Sequence, residues 1–230
     1  MTRGWRSMAG FLLVFDLDGT LIDSVPDLTD SLNEILRERG CAGTLTPAEV
    51  KPMVGDGVQT LVARAFAARG GSAADAAAAY PRYVAIYEAN ATRLTRPYPG
   101  VVETIEALRR QGYRCAVCTN KVQRASEIVL RELGLARLFD RVAGGDRYKV
   151  RKPDPGHLLR LIAELGGAPA RSLMIGDSEN DAAVAHAAGV GLVMMRYGYA
   201  RSDPATLGAA AVLDDFADLP AALSRLGLAP

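Results

Sequence analysis

Phe11-Leu12-Leu13-Val14-Phe15-Asp16-Leu17-Asp18-Gly19-Thr20-Leu21 is the stretch whose reading decides the fold. Five consecutive large apolar residues are too few for a lone helix and fit a strand covered on both faces, as in a parallel sheet. The run ends in Asp16 and Asp18, and Gly19 lets the chain turn away, so both carboxyl groups fall on a loop at the strand's carboxyl end. Open α/β sheets place their chemistry along that rim. Two acids so close repel unless a divalent cation, a shared proton or a nearby cation relieves them, and hard carboxylate oxygens suit Mg²⁺. An ordinary Asp- and Gly-rich turn is the plain structural alternative.

Outward from this strand the pattern turns helical. Pro26 can open a helix whose apolar face is Leu28, Leu32, Ile35 and Leu36 and which ends at Gly40. Thr46-Pro47 starts a short helix, and Gly55-Asp56-Gly57 breaks the chain before a stripe of Val58, Leu61, Val62, Ala65 and Phe66. An alanine-rich helix carries Tyr80, Tyr83, Val84 and Tyr87. The region from about 22 to 93 therefore reads as helices with no strand, closed by the proline- and glycine-marked linker Leu94–Gly100. From Pro99 onward helices alternate with apolar strands, at Tyr113–Cys118, near Val142, and at Arg171–Ile175, Val190–Met195 and Ala211–Leu213. Repeated units of this kind predict a doubly wound, Rossmann-like α/β core with a parallel sheet and right-handed crossovers. The expected division is a core of residues 1–21 and 96–230 with a helical insertion at 22–95.

Composition narrows the possible roles. With 230 residues and 49% hydrophobic content the chain can bury a sizeable core, and a formal charge of +1 gives no global field for nucleic acid or an anionic membrane. No apolar run is long enough to span a bilayer. Residues 1–9 read as a loose tail in which Met8 is an alternative start. The odd count of three cysteines argues against a disulfide framework, and Cys115 and Cys118, three apart in a strand, should face opposite sides of the sheet as buried thiols. The cytoplasm is the expected compartment.

Polar groups end three of the strands: Asp16 and Asp18, then Thr119 and Asn120, then Asp177 and Asp181. Neighbouring parallel strands would bring them to one rim. Lys152 precedes a further helix, and it is one of only four lysines against 23 arginines, which suggests a need for a compact point charge. Each has a bland reading as well: Thr119 and Asn120 as a helix cap, Asp177 and Asp181 as acids at a helix amino terminus, and Lys152 as a solvated loop cation.

The set Asp16-Leu17-Asp18-Gly19-Thr20, Thr119, Lys152 and Gly176-Asp177-Ser178-Glu179-Asn180-Asp181 resembles the haloacid dehalogenase-like phosphohydrolases, over almost the whole chain. The helical insertion stands where that family carries an α-helical cap. More narrowly, Thr119-Asn120-Lys121, Gly144-Gly145-Asp146, Lys152-Pro153, Gly176-Asp177-Ser178 and Tyr197-Gly198-Tyr199 look like the bacterial phosphoglycolate phosphatase branch. Lys121-Val122 departs from the Lys-Pro common there.

The resemblance implies hydrolysis of a small phosphorylated metabolite, 2-phosphoglycolate first among them, through an aspartyl phosphate. It implies Asp16 as nucleophile, and Asp18 as an acid and base that starts protonated under the negative charge around it. Mg²⁺ would be held by Asp16, Asp177 and the backbone carbonyl of Asp18, with Asp181 behind them. Lys152 would neutralise charge, while Thr119, Asn120 and the backbone amides near Leu17 would bind phosphoryl oxygens. Arg64 and the Gly55 loop of the insertion are the candidates for the substrate's carboxylate. A β-phosphoglucomutase-like mutase and a pyrophosphatase of the same superfamily are the alternatives. His157 and His186 have no part in this scheme, and a monomer or weak homodimer is expected.

Overall fold

A computed structural model of the chain describes residues 10–228 and 230. The tail reading of residues 1–9 lies outside the described residues. The deciding stretch forms β1 (Leu12–Phe15), followed by β2 (Ile22–Asp23), α1 (Val25–Glu38), α2 (Pro47–Val50), α3 (Val58–Ala68), α4 (Ala73–Asn90) and β3 (Arg96–Pro97). The second half alternates: α5 (Val101–Arg110), β4 (Arg114–Cys118), α6 (Gln123–Glu132), β5 (Arg141–Ala143), α7 (Pro155–Glu164) and β6 (Ser172–Gly176). It closes with α8 (Glu179–Ala188), β7 (Gly191–Met195), β8 (Ala211–Leu213) and α9 (Leu219–Arg225).

Six strands make one parallel sheet in the order β5-β4-β1-β6-β7-β8. The chain leaves β1 toward β4 and β5, then crosses back to β6 on the other side, so the strand order switches at β1. A crevice opens outside the carboxyl ends at such a switch, and Asp16 stands there. The pleat of β1 sends Leu13 and Phe15 into the core shared with α5, α6 and α9, and Leu12 and Val14 into the core shared with α7 and α8. Both faces are therefore covered, which is why β1 reads as unbroken apolar sequence. The same alternation puts Cys115 and Cys118 on opposite faces, where burial pushes both thiols up to about 12 and leaves them inert.

The insertion is helical as expected. Leu28, Leu32, Ile35 and Leu36 bury the inner face of α1, each worth about 1.5–3 kcal/mol when fully removed from water. Ser72 and Asp75 cap α4 reciprocally, so its alanine-rich start is ordered helix. One expectation is corrected. The region is not free of strand, because Ile22-Asp23 pairs antiparallel with Arg96-Pro97 where the chain leaves and re-enters the sheet domain. Buried Asp27 ties the same two connections together. It accepts hydrogen bonds from the Leu94 and Thr95 amides and the Thr95 hydroxyl at 2.7–3.0 Å.

Candidate active site

The turn after β1 is tight: Leu21 N–H donates to the Leu17 carbonyl and Gly19 N–H to the Ile22 carbonyl, both at 2.9 Å. Gly19 has φ +88°, and a Cβ there would collide with the Asp177 carboxylate. Gly176 is equally constrained, because a Cβ would strike the Asp181 side chain. The two glycines let the loops after β1 and β6 close on one point.

Asp16, Asp177 and Asp181 meet there. One oxygen from each lies within 4.8 Å of the others, and all three residues are buried. Lys152 Nζ sits 2.9 Å from Asp16 Oδ1 and 2.6 Å from Asp181 Oδ1. The remaining Asp181 oxygen accepts from the Asp177 and Ser178 amides and the Ser178 hydroxyl. Asp181 is thus committed to holding Lys152 and the start of α8. Asp177 accepts from the Thr20 hydroxyl at 2.6 Å and the Tyr199 amide at 2.7 Å.

Three buried carboxylates meet where one ammonium pairs with only two of them, and their electrostatics show the imbalance. Burial raises Asp16 to about 7, with Lys152 pulling down and Asp181 pushing up. Burial, then Asp181 and Asp16, push Asp177 well above the usual carboxylate range. Burial works against the charge on Lys152, but Asp16 and Asp181 outweigh it and hold the ammonium well above its ordinary range. A second cation with a taste for hard oxygen would relieve the excess negative charge, and the all-carboxylate donor set of Asp16, Asp177 and Asp181 is of the kind that could hold a hard divalent ion such as Mg²⁺.

Thr119 and Asn120, after β4, are buried beside Asp16 and line a small cavity of about 60 Å³ between the sheet rim and the insertion. Asn120 Nδ2 donates to the Lys152 carbonyl at 3.0 Å and the Gly55 carbonyl at 2.9 Å, so this amide group joins the insertion to the rim. The Leu17 amide, expected to face phosphoryl oxygens, is engaged by Asp16 Oδ1 at 2.7 Å. Gly55 reaches the cavity.

Arg64 is not among the residues lining that cavity. Its guanidinium pairs with Asp56 at 2.6 Å and donates to the Met53 carbonyl at 2.9 Å, so in this structure it faces the Gly55 loop rather than the cavity. Partial burial works against charge on Asp56, yet hydrogen bonds from Arg201, Asn180 and Arg64 hold it down at about 2. Asp56 therefore fastens the Gly55 loop to the sheet domain through Asn180 at 2.7 Å and Arg201 at 2.9 Å.

Sequence reasoning passed over Lys121. Its Nζ lies 3.1 Å from both Asp18 oxygens and 4.5 Å from the centre of the Tyr87 ring. A cation therefore stands beside Asp18 in addition to the acids expected around it. The scarcity of lysine that singled out Lys152 applies equally to Lys121 and would have found it.

Burial and the Lys152 charge lower His157 to about 4. A histidine held neutral in the fold but free to protonate when unfolded adds stability above its unfolded pKa and loses it as pH falls toward 4. Between pH 7 and 5 the loss attributable to His157 is about 2 kcal/mol. Urea midpoints of the wild type and of His157→Phe at both pH values check this: the variant should lose about 2 kcal/mol less over that interval.

The family model for haloacid dehalogenase-like hydrolases matches residues 13–195. A phosphoglycolate phosphatase from Rhodospirillum rubrum is 47% identical over 213 residues, covering 90% of this chain and 88% of that protein. A crystal structure described as a predicted phosphoglycolate phosphatase from Haemophilus somnus superposes with a TM-score of 0.87 at 32% identity, covering 95% of this chain and 99% of the other. CbbY from Rhodobacter sphaeroides, solved in complex with phosphate, superposes with a TM-score of 0.76 at 26% identity over 93% of this chain and 99% of that one. With its sheet order, its buried acids and these likenesses in agreement, the chain belongs to the haloacid dehalogenase-like hydrolase family, among relatives named phosphoglycolate phosphatase.

Proposed function

We propose that this phosphatase hydrolyses 2-phosphoglycolate to glycolate and phosphate, with Mg²⁺ as cofactor and a phosphoryl group carried transiently on Asp16. The observation that carries the reading is the buried meeting of Asp16, Asp177 and Asp181 with Lys152 at the switch point of the sheet. Relatives named for that activity, at 40–47% identity, support the substrate.

A carboxylate attacking a phosphate dianion meets strong repulsion, and phosphoryl transfer is catalysed chiefly by positioning and charge neutralisation. Asp16 attacks phosphorus, the bond to the glycolate oxygen breaks, and Asp18 passes a proton to the departing alkoxide. Water then attacks the same phosphorus, Asp18 takes its proton, and the bond to Asp16 breaks. Dividing one difficult displacement into two is the advantage of a covalent intermediate. Lys152 neutralises charge beside Asp16, Asp181 holds Lys152 in place, and Thr119 donates to a phosphoryl oxygen. Asp16, Asp177 and the Asp18 carbonyl would hold the Mg²⁺, which when bound offsets negative charge on the phosphoryl oxygens.

Residues 22–95 act in this reading as a cap over a core formed by 1–21 and 96–230, and the chain works in the cytoplasm as a monomer or weak homodimer. Among the described residues no helix is long and apolar enough to cross a membrane. The test is phosphate release from 2-phosphoglycolate, β-glucose 1-phosphate and pyrophosphate, with and without a chelator. We expect kcat/KM for 2-phosphoglycolate to exceed the others by about 10²-fold or more, and chelation to abolish activity until Mg²⁺ is restored. Preference for either other substrate, or full activity in chelator, would reject the reading.

A further inference from the structure

The cavity wall contributed by the insertion is mostly apolar, yet it carries two phenols. Tyr83 and Tyr87, one turn apart on α4, stack with ring centres 6.2 Å apart and planes within 13°. Both are buried, both line the cavity, and neither hydroxyl has a hydrogen-bond partner. Phenylalanine would pack that wall equally well. A buried hydroxyl with no partner is a cost that folded proteins keep rare, and such groups at a cavity point to a ligand. Burial pushes both phenols up, and the Asp18 carboxylate adds to the effect on each, so both belong to the same electrostatic neighbourhood as the rim acids.

The third element is Lys121. Among the described residues lining the cavity it is the only cation. Its side chain is 6% exposed, held between Asp18 and the face of Tyr87. The acids on the same wall are Asp16, Asp18 and Glu88, and Glu88 is already paired with Arg124 at 2.9 Å. A substrate whose phosphoryl group lies against Asp16 presents its other end to the insertion side of this cavity. If that end is a carboxylate, the wall offers it the Lys121 ammonium, which also faces Asp18, and two unengaged O–H donors, while Arg64 does not line the cavity.

We propose that Lys121 and the Tyr83 and Tyr87 hydroxyls form the subsite that binds the substrate's carboxylate and selects small anionic phosphoesters. This deepens the phosphoglycolate reading and rests on it. The test compares kcat/KM for 2-phosphoglycolate with that for 2-hydroxyethyl phosphate, which replaces the carboxylate by a neutral hydroxymethyl group. Wild type should favour 2-phosphoglycolate by about 10²-fold or more. Lys121→Met should cut that ratio at least about tenfold, and Tyr83→Phe and Tyr87→Phe severalfold each, the two phenylalanine variants retaining wild-type thermal stability because no hydrogen bond in the free protein is lost.

The outcomes separate the two claims. A wild type indifferent to the carboxylate rejects the substrate reading and the subsite with it. A wild type that discriminates, beside variants whose ratio is unchanged, rejects the subsite alone. Equal losses on both esters in Lys121→Met would make Lys121 a positioning residue for Asp18, and loss of stability in the phenylalanine variants would give the hydroxyls a structural role; either result overturns the proposal.

Discussion

Asp16→Asn is expected to lower kcat by about 10⁴-fold or more with the fold intact. The amide is nearly isosteric with the carboxylate, so the packing of the loop after β1 is preserved. It cannot take a phosphoryl group, so the first displacement has no nucleophile. It also removes one of three negative charges gathered in a buried space where burial already raises Asp16 to about 7. Folding stability should therefore hold or rise, because Lys152 keeps Asp181 at 2.6 Å. Single-turnover phosphate release and a urea transition on the same preparation check both halves. Retained turnover would remove Asp16 from the chemistry, and lost activity with a lost fold would make its role structural.

Lys152→Met is expected to lower kcat by about 10³-fold or more and, unlike Asp16→Asn, to cost about 3 kcal/mol of stability. Lys152 is 2% exposed and its ammonium answers two carboxylates at 2.9 and 2.6 Å. Removing one partner of a buried ion pair leaves the others uncompensated, which is why breaking such a pair costs far more than the pair itself contributes. The sign of the pH dependence follows. A lysine raised above its unfolded value gives its full stabilisation below that unfolded value, so the loss should be complete at neutral pH. Urea midpoints and kcat at neutral pH measure the two effects. Lys152→Arg retains the charge, but a planar fork does not fit a slot built for a point charge, so it should recover part of the stability and little of the activity.

These expectations rest on residues that were legible to different degrees. β1 could be read because burial on both faces leaves no polar residue in it, and β4, β6 and β7 are likewise apolar beyond their first residue. The pairing of Ile22-Asp23 with Arg96-Pro97 could not, since two residues carry no periodicity. Asp16, Lys152, Asp177 and Asp181 come together as the motif order implied, because each stands beside the end of a strand or the start of a helix whose place in the sheet is set by topology. The residues that hold Asp177, Thr20 and Tyr199, are 157 and 22 positions away along the chain, and only the folded sheet shows the contact. Arg64 illustrates the converse. Its position on α3 fitted a role in binding, but its partner Asp56 lies in the preceding loop, and a helical pattern says nothing about which way a loop carboxylate turns. The two tyrosines needed the cavity itself, because their significance lies in what surrounds their hydroxyls, whereas the scarcity of lysine marks Lys121 in the sequence.

The central claim, that Asp16 carries the phosphoryl group, is tested most directly by acid-quenching the enzyme with 2-phosphoglycolate and Mg²⁺ within the first turnover and mapping the peptides by mass. The account predicts a transient gain of one phosphoryl group on the peptide containing Asp16, absent in Asp16→Asn and decaying as free phosphate appears. Rapid phosphate release with no labelled peptide at any quench time, or with the label on another residue, would contradict it.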